Sequence, residues 1–372
     1  MKAKARTADV VIVGGGIHGC SVALQLVRRG LKTIVLEKDH VARHASGVNA
    51  GGVRRLGRDL AEVPIAQASW ELWQDMPGLV NDDCGYRSSR YLKVARNNKE
   101  LQQARIRVRE LHALGFKHEE VIDRETLNEF MPAVSEDCVG ALHVEGDGAA
   151  QPFRTTIAFK RRAQDFGAVI EQGMPVTCLG RKGNNWLVRT PSGNFETPVI
   201  INTAGAWGGR IAEWLGDKIP LEAHAPMLAI TERMCRFVDP VVGTLGDALS
   251  FKQLDNGTVL IGGGVRGVAS LDNNSTKLDM AGLSRFLKTA QDVFPVMRNT
   301  NVVRMWAGIE GYTRDNLPVI GKGSESGVFH AFGFSAHGFQ LAPAVGFTVS
   351  HLVMGETPNL PIKPFAVGRF HV

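Results

Sequence analysis

A chain of 372 residues, 44% hydrophobic and 22% charged, has the composition of an ordinary globular protein and is too long for one core, so two domains are expected. Its formal charge of +6 comes from 43 Lys and Arg scattered without a dense run or interleaved aromatics, which suits anionic substrates and argues against nucleic acid. Five cysteines without a Cys-x-x-Cys pair give no zinc ribbon or iron–sulfur site, hence no metal, and no run of about 20 apolar residues could span a membrane.

Met1 to Asp9 is basic and polar, unlike a signal peptide, and the widely spaced cysteines read as reduced thiols, so a cytoplasmic protein is expected. Val10 to Val13 is an apolar run suited to a buried parallel strand. The spacing then predicts a helix over Ser21–Arg29, closing at Gly30, and a second strand over Thr33–Leu36. A strand over Gly85–Val94, a charged amphipathic helix over Asn97–Leu114, a helix over Thr155–Gly167 and a strand over Ala168–Ile170 follow. Alternating segments at Met227–Thr231, Leu249–Gln253, Thr258–Ile261 and Val302–Trp306 predict an antiparallel sheet, and Ala344–Met354 a last helix.

Gly14-Gly15-Gly16-Ile17-His18-Gly19 fits Gly-x-Gly-x-x-Gly, with a strand before it, a helix after it and Glu37, beside Lys38, ending the next strand. Gly14 permits the tight turn, Gly16 the approach of a pyrophosphate, and Gly19 close helix–strand packing. The helix N-terminus would face the phosphates, and Glu37 the ribose hydroxyls. FAD and NAD both carry ADP, so this fingerprint leaves the choice open. The small-residue run Ala45-Ser46-Gly47-Val48-Asn49-Ala50-Gly51-Gly52 lets backbone follow an extended cofactor toward an isoalloxazine ring, which points to FAD.

Five stretches spread over nearly the whole chain resemble the FAD-dependent D-amino-acid oxidase superfamily, in its sarcosine and glycine oxidase branch. They are Asp9–Lys38, Ser46–Gly52, Asn202–Trp207, Trp306–Pro318 and Gly333–Gln340. The resemblance implies an α/β (α+β) fold: a discontinuous Rossmann-like FAD domain over 1–75, 150–220 and 312–372, and an antiparallel-sheet substrate domain over 76–149 and 221–311. By position, Val176 resembles a residue whose backbone meets adenine, and Ala204, Gly205 and Trp207 a segment along the pyrophosphate. Gly338, Phe339 and Gln340 resemble a turn whose N–H groups face the flavin N1–C2 edge, where preorganised donors would stabilise charge left by hydride transfer. His337 lies beside that turn, as a catalytic or merely a packing residue.

Arg54 resembles the sarcosine-oxidase arginine that grips the substrate carboxylate, which a guanidinium binds well; the alternative is a surface arginine in a basic stretch with Arg55 and Arg58. The second carboxylate-binding group, a lysine in sarcosine oxidases, is Gln340 here. Glu310 stands where relatives carry a flavin-binding cysteine or a carboxylate-binding arginine, and Asn49 near where others carry a flavin-binding histidine, so the FAD is expected to be non-covalent. Tyr312 resembles a substrate-facing tyrosine, with a core aromatic as the alternative. Gly257 to Gly264 lacks the lysine linked to oxygen use, which favours a dehydrogenase over an oxidase. The chain is most similar to the flavin-bearing β subunit of heteromeric sarcosine, proline or opine dehydrogenases, whose partner subunits carry further redox cofactors. The expected activity is oxidation of the C–N bond of a secondary amino acid to an imine that hydrolyses. A guanidinium-bearing opine such as octopine or nopaline is favoured, its arm facing Glu310 unless Glu310 pairs with Arg314. A stand-alone sarcosine- or glycine-oxidase-like enzyme, a D-amino-acid dehydrogenase, and an FAD-carrying electron-relay subunit remain alternatives.

Overall fold

The computed structural model describes residues 5–247 and 249–370. The apolar run Val10–Val13 is a strand buried on both faces, at the centre of a six-stranded sheet. Thr33–Leu36 and Val169–Glu171 lie to one side of it, Val199–Asn202 and Val328–Phe332 to the other, all parallel; Val319–Lys322 closes the edge antiparallel. Alternate side chains serve two cores, as the two-residue period of a strand dictates. Val10, Ile12 and Val35 pack with the helices Ile17–Arg28, Pro152–Asp165 and Gly338–Val353. Val11, Val13, Ile34 and Leu36 instead pack against a small four-stranded sheet formed by Arg6–Thr7, Gly193–Thr197, Asn185–Thr190 and Cys178–Lys182.

The second body is an 11-stranded sheet. Its long strands Leu221–Arg233 and Thr258–Ser270 are antiparallel neighbours, and Arg87–Ala95 pairs along Gly140–Ala149. Gly52–Val53 joins its edge, so the chain crosses from the first sheet to the second directly after the glycine-rich segment. The helix Met280–Val293 covers the back of the sheet over a core of Phe251, Phe286, Phe294 and their neighbours. The elements expected from sequence included neither this helix nor the four-stranded sheet, although Leu283, Phe286, Ala290 and Val293 recur at helical spacing.

The first helix spans Ile17–Arg28, four residues earlier than the spacing predicted, because Gly16 is already its extended N-cap. The last helix spans Gly338–Val353 and runs through Pro343 instead of starting after it. Proline removes one helical N–H and disturbs the preceding turn. The neighbouring Ser69 and Trp73 fill the disturbed ladder: Gln340 O accepts from Ser69 Oγ at 2.6 Å and Trp73 Nε1 at 2.8 Å, and Ala344 N–H donates to Ser69 Oγ at 3.4 Å. No described helix is long and apolar enough to cross a membrane.

Candidate active site

A cavity of about 980 Å³ runs from the carboxyl ends of Val10–Val13 and Thr33–Leu36 to the face of the large sheet. That is the crevice position ligands favour in open α/β sheets, and its volume is at the upper end for small-molecule sites. Gly14 opens it at φ 109°, a left-handed region that suits glycine, and a Cβ there would meet Thr203 O at 2.5 Å. A Cβ on Gly19 would lie 2.0 Å from Gly14 O, so turn and helix touch backbone to backbone. Gly19 therefore shapes the turn from outside the cavity, while Gly16 lines it.

Glu37 is held from two sides: Gly15 N–H donates to Oε2 at 2.7 Å and Asp39 N–H to Oε1 at 2.9 Å. Burial raises its pKa, and these two donors oppose that. Each oxygen keeps lone-pair capacity toward the cavity, as a ribose contact requires. Lys38 Nζ stacks 3.8 Å from the Trp207 ring centroid and bonds Asp39 at 2.8 Å. Ser46 Oγ accepts from Ile17 N–H at 3.0 Å, tying the small-residue segment to the helix start. Asn49 uses its side chain to fix that segment: its amide donates to Ala45 O and accepts from Gly51 N–H. His18 is stacked on Phe334 at 3.7 Å, and neither ring nitrogen has a protein partner. Val176, Ala204, Gly205, Gly51 and Gly52 also line the cavity. Free helix-start N–H groups, an acceptor-rich acid at the next strand and orphaned buried nitrogens are the donor and acceptor set that FAD would satisfy.

At the far end Arg54, Glu310, Tyr312 and His337 come together in the same wall. Glu310 Oε1 accepts from Ala336 N–H at 2.9 Å, and Oε2 lies 3.5 Å from the Tyr312 hydroxyl. Burial lifts the Glu310 pKa to about 7, against the Ala336 bond. Arg314 is exposed and is not its partner; the cation that acts on its charge is Arg266, stacked 4.0 Å over the Tyr312 ring. Tyr312 is 6% exposed, and burial raises its pKa. His337 Nδ1 stands 2.8 Å from the fully buried Glu62, and burial lowers the imidazole to about 4, so the ring is neutral at neutral pH. For Glu62, burial acts upward, but His337 and Arg58 together hold it low.

A family model described as FAD dependent oxidoreductase matches residues 9–352. The chain belongs to this family. The hydrogen cyanide synthase subunit HcnC of Pseudomonas aeruginosa is 29% identical, the alignment covering 98% of this chain and 97% of that protein. A subunit of the opine oxidase of Rhizobium meliloti is 24% identical, covering 97% of each. The crystal structure of L-proline dehydrogenase from P. horikoshii superposes with TM-score 0.91 at 26% identity over 99% of both chains. The expected FAD, the oxidoreductase class and the mixed α/β fold all stand with the family.

Two placements differ from the sequence expectation. Gln340 does not reach the cavity. Its amide donates to Ala66 O at 2.8 Å and accepts from Arg58 at 3.0 Å, because position 340 faces the inside of the helix packing. Only Gly338 and Phe339 of that turn line the cavity. Arg55 and Arg58 are not part of a basic surface stretch: they are 6% and 2% exposed. Sequence reasoning missed Lys93, which lines the cavity, and Glu62 beneath it. A lysine set among the apolar Tyr91, Leu92, Val94 and Ala95, all buried, was the available signal.

Proposed function

We propose that the protein oxidises the C–N bond of a secondary amino acid, with an opine such as octopine or nopaline as the favoured substrate, as the catalytic subunit of a heteromeric dehydrogenase. The observation that carries this reading is Arg54: it lines the cavity, its Nη1 donates to Leu56 O, and it has no carboxylate within 4.0 Å among the described residues. A cation so placed suits a substrate carboxylate. FAD, when bound, supplies the hydride acceptor. The chain's part is to hold the substrate carboxylate on Arg54, keep neutral His337 and Tyr312 around the amine, and exclude water with the large sheet. The N-terminus of the Gly338–Val353 helix, which has no side-chain cap, offers donors to developing negative charge. Relatives named as subunits support a partner, and the L-proline dehydrogenase likeness supports a dehydrogenase. The absence of lysine from Gly257–Gly264 no longer does, since Lys93 reaches the cavity from another strand.

The test is anaerobic mixing of FAD-loaded protein with secondary and primary amino acids while flavin absorbance is followed. Secondary amines should bleach it, and Arg54→Ala should weaken them by about 1.5–3 kcal/mol per lost charge-assisted bond. If no amine bleaches the flavin, or if Arg54→Ala changes nothing, the reading is wrong.

A further inference from the structure

The wall around Arg54 carries more positive than negative charge. Five cations converge: Arg54, Arg55 and Arg58 after the strand Gly52–Val53, Lys93 in the strand Arg87–Ala95, and Arg107 in the helix Asn98–Ala113. Three buried carboxylates answer three of them. Asp147 is 3.0 Å from Arg55, Glu119 is 2.7 Å from Arg107, and Glu62 is 3.7 Å from Arg58. Asp147 also accepts from the N–H groups of Arg55 and Leu56, and Glu119 from that of Gly57. Their oxygens are thus already engaged. Among the described residues, neither Arg54 nor Lys93 has a carboxylate within 4.0 Å, and both line the cavity.

Lys93 is the more unusual of the two. Its Nζ is so close to the backbone that a Cβ on Gly57 would lie 2.6 Å from it. Burial, then Arg54 and Arg107, pull its pKa down to about 7, with Glu119 opposing and Arg58 adding to the depression. An ammonium held in such a place without a counter-ion is costly unless a ligand supplies the charge.

We infer that Arg54 and Lys93 form a two-cation subsite for a dicarboxylic secondary amine, an N-(carboxyalkyl) amino acid, with one carboxylate on each cation. In such a molecule the nitrogen lies between two carbons that each bear a carboxylate, so two neighbouring cations hold the short unit from both ends. A monocarboxylate leaves Lys93 unanswered. The inference rests on the proposed oxidation of a secondary amine; opines belong to this class, and what is added is the pair of cations that reads their two carboxylates, with Lys93 as the specificity-determining residue. Binding through Lys93 requires its protonated form, so dicarboxylate affinity falls as pH rises above about 7 and binding there takes up a proton.

The experiment reads binding without turnover. FAD-loaded protein is titrated with iminodiacetate and succinate, and with their single-carboxylate counterparts sarcosine and acetate, by calorimetry and by the perturbation of the flavin spectrum. The dicarboxylates should bind at least about tenfold tighter, the worth of one charge-assisted contact. Lys93→Met should bring that ratio near one, and Lys93→Arg, which keeps a cation, should retain it. Equal affinities in the unaltered protein, or an undiminished ratio in Lys93→Met, overturn the subsite. Should Lys93→Met not fold, loss of the ratio at high pH in the unaltered protein decides the same point, and a pH-independent ratio rejects it. Dicarboxylate binding without bleaching by any amine would sink the oxidation reading and leave the subsite standing. Bleaching by sarcosine with no dicarboxylate preference would do the reverse.

Discussion

Replacing Arg58 by methionine tests whether the cavity wall is held by its buried ion pair. Arg58 is 2% exposed, donates to Arg54 O at 3.1 Å, His337 O at 3.3 Å and Gln340 Oε1 at 3.0 Å, and lies 3.7 Å from Glu62. Burial, then Arg54, lower its pKa to about 10, so it remains a cation at neutral pH. Without Arg58, the buried Glu62 would keep only the neutral His337, whose Nδ1 stands 2.8 Å away, to answer its charge. Removing one partner of a buried pair costs about 3–5 kcal/mol, since the other charge stays behind unpaired. For a chain of this size that is a fall in melting temperature of about 6–10 °C, at roughly 2 °C per kcal/mol. Methionine fills much of the same volume, so the loss is electrostatic and not a cavity effect. The double variant Arg58→Met with Glu62→Gln should therefore recover part of the loss, and a double-mutant cycle by chemical denaturation measures it. A single variant that loses less than about 1 kcal/mol, or a cycle that is additive, refutes the argument.

Gly19→Ala places a Cβ 2.0 Å from Gly14 O, and since both atoms belong to packed backbone the turn must open; the flavin-to-protein ratio after purification should fall sharply, and an undiminished ratio means the turn is softer than drawn. Glu310 has a folded pKa of about 7 against an ordinary 4.5, so between those values the folded chain keeps a proton that the unfolded chain has lost, and stability falls as pH rises through that window. Glu310→Gln keeps the acceptor for Ala336 N–H and removes the charge, so it should match the unaltered protein near pH 4.5 and exceed it by up to about 3 kcal/mol above pH 7; a difference that does not depend on pH rejects the assignment. Acid or heat should release all of the FAD, because no cysteine lines the cavity and Asn49 and Glu310 occupy the positions of linking residues in relatives; flavin that stays with the denatured chain contradicts this.

The cofactor half of the site was legible because its chemistry is local in sequence. Gly14, Gly16 and Gly19 are a few residues apart, and Glu37 ends the strand beside them, so turn geometry and spacing carry the prediction without knowledge of the rest of the fold. The proposed substrate half draws on Arg54, Lys93, Glu310 and His337, which share one cavity only through the tertiary fold. No period or spacing joins these positions. Gln340 illustrates the same limit: resemblance to the family suggests a place beside the flavin, but a helix that starts at Gly338 turns its third residue inward toward Arg58 and Ala66.

Glu310 shows how position in a family can leave the structural work of a charge unseen. From sequence it is expected to meet a guanidinium arm on the substrate, or else Arg314. In the fold its Oε1 accepts the N–H of Ala336, which with Ser335 has a positive φ of 69° and 49° respectively. Such a left-handed pair of non-glycine residues costs of order 1–3 kcal/mol each and persists only where neighbours fix it. Glu310 is one of those neighbours, and Thr313 N–H donating to Ser335 Oγ at 3.3 Å is another. The turn they hold leads directly into His337 and the start of the Gly338–Val353 helix. A protonated Glu310 can still accept that bond through its carbonyl oxygen, less strongly than the carboxylate does, so its hold on the turn does not need a cation. The unpaired positive charge in the cavity wall lies on Arg54 and Lys93, and the proposed subsite adds a second carboxylate to the recognition elements expected of the substrate.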